Sequence, residues 1–336
     1  MMPCRMMQIN RPTLMTICSD MSQHKADNRP RHKQHPVDGL LLLDKPVGCT
    51  SNAAMQRVKY LFHARKAGHT GSLDPLASGM LPLCFGQATK VSAYLLAADK
   101  TYRVMIRFGT QTDTADADGN IVAESEVRTV DRKALEKAMD ELTGDILQVP
   151  PMYSALKKDG KRLYELARQG IEIERQPRPV TIHSLRIEVF DPATPVLRVV
   201  CSKGTYIRAL VEDLADMLGT LGHVAELRRL AVEPFIEAQL VTMEQIETAA
   251  EAGDEALDEL MISSDSALVS LPVVSLTQEQ SRRLCHGNQV QVEQLPPAGL
   301  CRIYDSQERF IGVGEALEDG RIAPKRLFVA PESVPD

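Results

Sequence analysis

The sequence predicts an α+β fold: a large domain in which strands and helices are mixed, followed by a small β-rich domain at the C-terminus. Apolar residues alternate with polar ones in segments such as TYRVMIRF (101–108). They recur every three or four residues in segments such as DRKALEKAMDELTG (131–144). From Leu271 onward, short strand patterns and turns predominate. The 336 residues are enough for two domains of ~100–200 residues each.

The first part of the chain is predicted to begin with a polar extension and to continue as strand, helix, loop and strand. Residues 1–37 are polar and Met-rich, with basic residues in their second half, which is typical of a disordered basic N-terminal extension. GLLLLDK (39–45) predicts a short buried strand, and Thr50 or Ser51 then caps a helix whose apolar residues share one face. A glycine-rich loop follows, and the strand-like MLPLCF (80–85) comes after it.

The middle of the chain is predicted to alternate between strands and helices. In TYRVMIRF, Tyr102 shares one face with the apolar residues 104, 106 and 108, so Tyr102 is expected on the inward side of a half-buried strand. Asp131 is placed to cap the next helix. Further on, the patterns predict a basic helix, two paired strands and another helix: GKRLYELARQG (160–170), TIHSLRIEVF (181–190), PVLRVVCS (195–202) and TYIRALVEDLADMLG (205–219).

An acidic stretch at 251–265 is expected to separate the large domain from the C-terminal one. Before it, Thr242 and Gln245 form a capping box that begins a helix. After it, residues 271–336 carry short strand patterns, turns and one helix with a second capping box at 277–280. The expected second domain is therefore small and β-rich.

The composition excludes several classes of protein. The longest useful apolar run, Leu40–Leu43, is far too short to cross a membrane, which takes ~20 residues. The seven cysteines stand singly without metal-binding spacing, which indicates reduced thiols, a cytoplasmic location and no metal site. The net charge is −6, but basic residues concentrate at 22–36 and 150–178. Each run is more often a solvated face than a binding site, yet together they indicate a segregated positive surface.

The loop GHTGSLDPLASGMLPL (68–83) holds a single carboxylate, Asp74. Asp74 could cap a helix that Pro75 begins, or it could be a nucleophile. The loop holds no second carboxylate, which argues against glycosidase-type acid–base chemistry, and serine-triad and P-loop motifs are absent. DTADADG (113–119) fails the calcium-loop pattern, so we interpret it as a hairpin turn.

The extended segment GHTGSLDPLASGMLPLCFGQATK resembles the signature motif of the TruB family, the bacterial tRNA pseudouridine-55 synthases. The resemblance covers roughly residues 38–330. Further motifs match in the same order: GLLLLDKPVGCTS, KTYRVMIRFGTQTDTADADG, PPMYSALKKDGKRLYELARQG, CSKGTYIRAL, HVAELRRLAV and RIAPKRLFV.

The resemblance implies a fold and an activity. The fold is the pseudouridine synthase fold, with a central mixed, mostly antiparallel sheet flanked by helices. It implies a catalytic domain at 38–265 with an RNA-gripping insertion at about 150–178, and a PUA-like RNA-binding domain at 271–336. The implied activity is isomerisation of uridine to pseudouridine at position 55 in the T loop of tRNA. It would need no cofactor, guide RNA or protein partner.

Site residues follow from the same resemblance. Asp74 would be the catalytic nucleophile, either attacking C1′ of the ribose or triggering elimination; the two routes stay open. Tyr102 would stack on the target base and is a candidate for moving the C2′ proton. Arg208 would pair with Asp74, and its opposite charge is expected to lower the pKa of the carboxyl and keep it ionised.

Further residues would bind the substrate. His69 would insert where the flipped base was, while Tyr206 and Leu227 would line the base pocket. Lys45 would support the loop. Without the resemblance, His69 and Arg208 would be taken for surface residues, and the tyrosines and the leucine for core. The loop glycines are expected to let backbone approach a flipped nucleotide.

Two rival functions remain open from the sequence. One is a catalytically silent RNA-binding or tRNA-folding protein, which would have no need of the Asp74 carboxylate. The other is a synthase that depends on a guide RNA, as in the archaeal and eukaryotic relatives of the family.

Overall fold

The computed structural model describes residues 37–154, 156–158, 160–167 and 169–328. The predicted N-terminal extension therefore lies outside the described residues, apart from Val37. Within these ranges, no helix combines the length and the apolar character needed to cross a membrane. The cysteines in these ranges carry free thiols: Cys49, Cys84, Cys201, Cys285 and Cys301.

The described residues form eighteen strands and eight α-helices. The strands are β1 Gly39–Lys45, β2 Ala67–His69, β3 Ser78–Phe85, β4 Lys100–Phe108, β5 Thr110–Thr112, β6 Ile121–Glu124, β7 Gly144–Gln148, β8 Lys157–Lys158, β9 Lys161–Arg162, β10 Arg178–Val189, β11 Val196–Cys201, β12 Gly222–Val232, β13 Val241–Thr242, β14 Val273–Ser275, β15 Val290–Gln291, β16 Gly299–Tyr304, β17 Phe310–Ala316 and β18 Arg321–Leu327. The helices are α1 Ser51–Leu61, α2 Ser92–Ala97, α3 Arg132–Glu141, α4 Leu163–Ala167, α5 Ile207–Met217, α6 Met243–Ala252, α7 Asp254–Asp258 and α8 Gln278–Cys285.

A nine-stranded sheet forms the centre of the described part of the chain. Its order is β13-β1-β3-β12-β4-β11-β10-β7, and β2 pairs with β3. Neighbouring strands are antiparallel except for the pairs β1–β13 and β3–β12, which are parallel. The predicted mixed, mostly antiparallel sheet is confirmed.

The burial of β1 and β4 follows their sequence patterns. In β1, Leu41 and Leu43 pack in one hydrophobic cluster with residues of α1, while Leu40 and Leu42 pack in another, so the unbroken apolar run covers both faces of the strand. In β4 every second residue is buried, and Tyr102 lies on the inward face as predicted. β4 pairs with β11 on one side and β12 on the other, which places it centrally in the sheet.

The helix starts that the sequence predicted are confirmed. Thr50 caps α1, its hydroxyl accepting a hydrogen bond from the Ala53 amide at 3.1 Å. The Asp131 carboxylate caps α3. Helices α6 and α8 begin with the two predicted capping boxes. Side-chain capping of free amides thus sets where these helices begin.

The predicted basic helix at 160–170 is only partly correct. Lys161 and Arg162 belong to β9, which pairs with β8, and helix α4 is confined to Leu163–Ala167. The chain reverses at Gly160, whose φ of +84° is a conformation that glycine adopts without strain. A tight turn before Lys161 therefore replaces the first helical turn.

The C-terminal region forms a separate five-stranded sheet in the order β14-β16-β17-β18-β15. Helix α8 packs against it through Leu284 and Cys285. Val313 of β17 is fully buried in a cluster that also holds Leu40 and Leu42 of β1. The small sheet therefore shares buried apolar surface with the large one.

Candidate active site

The segment between β2 and β3, residues 70–77, forms a loop that we call the Asp74 loop. Its anchor is the buried hydroxyl of Ser51, which accepts from the Leu73 amide at 2.7 Å and lies 3.0 Å from the Leu73 carbonyl oxygen. The Lys45 ammonium donates to the Ala77 carbonyl at 2.7 Å, so Lys45 does support the loop. No helix follows Pro75, which shows that the helix-capping interpretation of Asp74 is wrong.

Asp74 and Arg208 form the central ion pair of the site. Nη2 of Arg208 lies 3.0 Å from Oδ2 of Asp74. The Arg208 side chain is only 6% exposed and the Asp74 side chain 42%. Arg208 also donates to the carbonyl oxygens of Thr114 at 2.9 Å and Tyr153 at 2.7 Å. Arg208 is therefore not the surface residue that its position early in α5 suggests; its guanidinium is fixed from three directions.

A second carboxylate reaches the site from the hairpin of β5 and β6, although the Asp74 loop itself holds only one. Oδ2 of Asp116 lies 3.8 Å from Nε of Arg208. The Asp116 side chain is buried, and its Oδ1 accepts from the Thr114 hydroxyl at 2.6 Å and from the Asp118 amide at 3.2 Å. DTADADG is the predicted turn, but the turn packs one of its acidic residues, Asp116, into the site. Because Asp116 is enclosed, it is poorly placed to activate water.

Arg208 lowers the pKa of Asp74 as expected, but the net shift is upward from the ordinary value of an aspartate. Burial is the largest cause, Arg208 opposes it, and the neighbouring charge of Asp116 adds to it. Part of the side chain is open to solvent, yet the surrounding protein is dense enough for burial to outweigh the arginine. Arg208 thus limits the rise in pKa and does not reverse it.

Tyr102 and Leu227 line the site from neighbouring strands. Tyr102 is 9% exposed, and burial raises the pKa of its hydroxyl, with a smaller contribution from the nearby Asp74. Leu227 of β12 stands opposite Val104 of β4 and belongs to the same hydrophobic cluster as Tyr102. Asp74 is close enough to act on the Tyr102 hydroxyl, and Leu227 packs in the cluster that also holds Leu73 and Ala77 of the Asp74 loop.

Tyr206 reaches the site from the residue that precedes α5. Its backbone is held by the Gln148 amide, which accepts from the Tyr206 N–H at 2.7 Å and donates to the Tyr206 carbonyl at 3.0 Å. Burial raises the pKa of the Tyr206 hydroxyl, and the nearby Ser154 side chain opposes the rise. Arg208 and Asp74 are close enough to act electrostatically on that hydroxyl.

His69 is the last residue of β2, where it is half-buried and not an incidental surface group. Burial lowers the pKa of its imidazole, and the charge of Arg229 lowers it further. Its buried Nδ1 finds no hydrogen-bond partner in the described part of the chain. His69 is therefore held as a neutral ring beside the Asp74 loop.

Two glycines of this segment serve contacts within the protein. At Gly79, φ is +98° and a Cβ atom would lie 2.2 Å from the Arg229 carbonyl oxygen, so β3 and β12 approach too closely for a side chain. At Gly71, φ is +82° and a Cβ atom would lie 3.5 Å from the Arg229 guanidinium. A Cβ at Gly68 would meet open space. Of the three, only Gly79 excludes a side chain through a steric clash within the protein.

Sequence reasoning missed Ser51, Asp116 and Arg229. From the sequence, Ser51 is a candidate helix cap, Asp116 is part of a turn, and Arg229 is part of the motif HVAELRRLAV without a role of its own. The signal that could have found Arg229 is its inward position in β12, where a charged side chain is exceptional. Among the described residues, no group of three or more His, Cys, Asp or Glu side chains could hold a metal ion.

Three family profiles match successive parts of the chain. The profile described as TruB family pseudouridylate synthase (N terminal domain) matches residues 59–207. The profile for the tRNA pseudouridylate synthase B C-terminal domain matches residues 208–269, and the profile for pseudouridine synthase II TruB, C-terminal, matches residues 272–328.

Curated relatives and solved structures are similar over most of the chain. Proteins named tRNA pseudouridine synthase B from Pseudomonas paraeruginosa and Stutzerimonas stutzeri are 53% and 52% identical over 293 residues, which are 87% of this chain and 96% of theirs. A chain of a Cbf5-Nop10-Gar1 complex matches with a TM-score of 0.70 and 24% identity, covering 92% of this chain and 90% of that one. A chain of the archaeal box H/ACA sRNP Nop10-Cbf5 complex matches with a TM-score of 0.68 and 23% identity, covering 92% and 91%. The structural likeness confirms the pseudouridine synthase fold.

Proposed function

The chain belongs to the TruB family of pseudouridylate synthases, and from this premise we propose that it isomerises uridine 55 in the T loop of tRNA, with Asp74 as the nucleophile and without a cofactor. It is a tRNA pseudouridine synthase, an isomerase. The position in tRNA, the role of Asp74 and the independence from cofactors are our proposals. We also propose that it works in the cytoplasm.

The chemistry explains why one nucleophile is enough. The C1′–N1 bond of uridine breaks, the uracil turns, a C1′–C5 bond forms, and the proton on C5 is replaced by one on N1. Substrate and product have the same atoms, so the reaction consumes no water and changes no oxidation state. In one route Asp74 forms a bond to C1′ and is later displaced by C5. In the other route the C2′ proton is removed, a C1′=C2′ bond forms as the base leaves, and the proton returns when C5 attacks.

The Asp74–Arg208 pair is the observation that carries the proposal. Arg208 is held by two backbone carbonyls besides Asp74, so it fixes the direction of the carboxylate before substrate arrives. Asp74 remains partly exposed, as a group that must contact the ribose requires. An oriented, accessible carboxylate in an otherwise enclosed site is the arrangement that nucleophilic catalysis needs.

The other residues are proposed to hold the nucleotide. Tyr102 would stack on the uracil and, in the elimination route, move the C2′ proton. Tyr206 and Leu227 would complete the base pocket, and neutral His69 would enter the space that the flipped base leaves in the RNA. A ring with a lowered pKa suits this last role, because a neutral imidazole stacks without carrying a buried charge.

Two further segments are proposed to bind RNA. Residues 150–178 contain seven Lys and Arg against four acidic residues, enough to contact several phosphates. Residues 271–336 would form the second RNA-binding domain. Separate contacts to the T arm of tRNA would select position 55, while the Asp74 loop performs the chemistry.

The rival functions make different demands. A silent RNA-binding protein gains nothing from an ion pair that orients an exposed carboxylate, and the guide-dependent relatives resemble this chain only in fold. The relatives that are about half identical carry the name of a tRNA enzyme. We therefore propose that the protein acts on tRNA alone, without guide RNA or protein partner.

Base-resolved mapping of pseudouridine on an unmodified tRNA transcript, after incubation with the pure protein, tests the proposal. We expect one pseudouridine, at position 55. Asp74→Asn keeps the size and hydrogen bonding of the side chain but removes its charge, so isomerisation should fall below detection while tRNA affinity persists. Product formed by Asp74→Asn at the wild-type rate would refute the nucleophile. Modification only after addition of a guide RNA would favour the guide-dependent rival.

A further inference from the structure

Arg229 of β12 is almost completely buried beside the Asp74 loop, with 1% of its surface exposed. Its Nε donates to the Met80 carbonyl at 2.7 Å and its Nη2 donates to the Gly71 carbonyl at 3.1 Å. Within the described ranges, the arginine ion pairs of this region belong to Arg208 and Arg228, and Arg229 takes no part in them. Burying a charge without an opposite charge is costly, so a core position that keeps an arginine needs an explanation.

The backbone of Arg229 is fixed on both sides. In the antiparallel pairing of β12 with β4, Arg229 stands directly opposite Tyr102. In the parallel pairing of β12 with β3 it stands beside Gly79, whose missing side chain allows close contact. The register of β12 against β4 shifts immediately after Arg229. Opposite residues in antiparallel strands have Cβ atoms about 4.5–5.5 Å apart, so this position directs the guanidinium to Tyr102.

The guanidinium joins three parts of the site. It lies close enough to the Tyr102 hydroxyl to lower the pKa of that group, it donates to the loop carbonyl of Gly71, and it donates to the Met80 carbonyl of β3. Gly71 lies three residues before Asp74. A single rigid, planar group therefore holds the loop that carries the proposed nucleophile while it acts on the tyrosine hydroxyl.

The charge of Arg229 also acts on its neighbours. Burial raises the pKa of Tyr102, and Arg229 opposes this rise, as it also lowers the pKa of His69. The other titratable groups that act on Tyr102 are Cys201 of β11 and Asp74 of the loop, and both favour the protonated hydroxyl. Arg229 is therefore the cation that stabilises negative charge on the Tyr102 oxygen.

We propose that Arg229 is a positioning residue for the isomerisation: it couples the Tyr102 hydroxyl to the Asp74 loop, so that the stacking ring and the carboxylate meet the nucleotide as one preorganised unit. This inference rests on the proposed function of Tyr102 and Asp74. It assigns Arg229 no contact with the substrate, and it holds for either route through C1′.

A double-mutant cycle tests the coupling. Single-turnover pseudouridine formation and tRNA affinity are measured for the wild type, Arg229→Gln, Tyr102→Phe and the double variant. We expect Arg229→Gln to lower the rate about 10- to 100-fold with little change in affinity, since small displacements of reacting groups have effects of this size. In the Tyr102→Phe background the loss should be smaller, with a nonadditivity of about two- to hundredfold. If the rate losses of the two single variants simply multiply in the double variant, the two residues act independently and the proposal is overturned.

A spectroscopic readout works even without tRNA. With 3-fluorotyrosine at position 102, fluorine NMR follows ionisation of this one hydroxyl. Arg229→Gln should raise its pKa relative to the wild type, because the stabilising cation is gone. Arg229→Lys keeps the charge but loses the planar fork, so its pKa should stay nearer the wild type while the rate still falls. An unchanged pKa in Arg229→Gln would contradict the proposal.

Arg228→Gln is the matched control. Arg228 is the preceding residue of β12, and its guanidinium pairs with Asp44 and Glu237 instead of the site. The Arg228→Gln substitution should leave the pKa of Tyr102 unchanged. Its effect on the activation free energy should add to that of Tyr102→Phe. If Arg229→Gln does not fold, Arg229→Lys carries the cycle alone. If the wild type proves inactive on tRNA, the proposed function fails, while the ionisation experiment still decides whether Arg229 acts on Tyr102.

Discussion

The Nε atom of Arg208 lies 3.8 Å from Oδ2 of Asp116, while the Nη2 atom of the same guanidinium lies 3.0 Å from Asp74. One arginine therefore serves two carboxylates that are distant in sequence. The two acids differ in access, since Asp116 is enclosed and Asp74 is partly exposed. This arrangement makes the ionisation of Asp74 depend on a residue that need not touch the substrate.

Asp116→Asn should shift the acid limb of the pH–rate profile to lower pH. The proposed mechanism needs ionised Asp74, so the rate is expected to fall as the pH drops through the pKa of Asp74. The Asp116 charge raises that pKa, and removing it lets the carboxylate stay ionised in more acidic solution. Single-turnover rates measured across pH give the position of the limb.

The control for this experiment is Asp113→Asn, an exposed acid of the same hairpin that binds Asn120. It should leave the limb in place. A shift of equal size in both variants would mean that hairpin disruption, and not the Asp116 charge, moves the limb.

Arg208→Gln should shift the same limb in the opposite direction, to higher pH. Arg208 is the largest influence that lowers the Asp74 pKa, and its loss leaves the weaker charge of Lys45 to oppose burial. At the pH optimum we also expect a rate loss of about 10²-fold from lost orientation. Arg208→Lys should reverse part of the pH shift but recover little of the lost rate, because lysine keeps the charge without the planar fork. A Gln variant whose limb moves to lower pH would contradict this account.

Ser51→Ala should lower both stability and rate. The mutation leaves the buried N–H and carbonyl of Leu73 without their side-chain partner, at a cost of about 1–3 kcal/mol in the free energy of unfolding. The Asp74 loop then loses its anchor, so the single-turnover rate should fall as well. Thermal unfolding and single-turnover assays measure the two effects.

Thr50→Ala provides the comparison for Ser51. It removes the cap of α1, which costs about 0.5–2 kcal/mol, but Thr50 makes no hydrogen bond to Leu73. Its rate should stay near the wild type. Equal rate losses in the two variants would show that helix stability, and not the loop anchor, controls activity.

Gly79→Ala should be far more destabilising than Gly68→Ala. A Cβ at Gly79 would lie 2.2 Å from the Arg229 carbonyl oxygen in a backbone conformation that L-residues rarely adopt. The strained backbone costs about 1–2 kcal/mol and the overpacking about 1–3 kcal/mol more. At Gly68 the added methyl group meets open space, so stability should change by less than about 0.5 kcal/mol. Chemical denaturation measures the free energy of unfolding of both variants. Similar values for the two would refute the close contact of β3 and β12.

The amino-acid sequence by itself determined the local features of this protein. Thr50, Asp131 and the capping boxes begin helices because they satisfy free amides within their own turn, and β4 buries Tyr102 because its side chains alternate. These interactions join residues only a few positions apart, so a pattern in the sequence reveals them. The resemblance to a known family then pointed to Asp74 and to the residues proposed to act with it.

Only the tertiary structure determines which charged side chains lie close together. Asp116 and Arg208 are separated by many residues, and only the packing of the β5–β6 hairpin against the start of α5 brings them to the same guanidinium as Asp74. The raised pKa of Asp74 likewise reflects the balance between burial and three-dimensional neighbours, which no local pattern contains. Arg229 became recognisable only when the strand pairing placed it opposite Tyr102 and beside Gly79. Electrostatic interactions depend on distance in space and on surrounding protein density, and both are set by the completed fold.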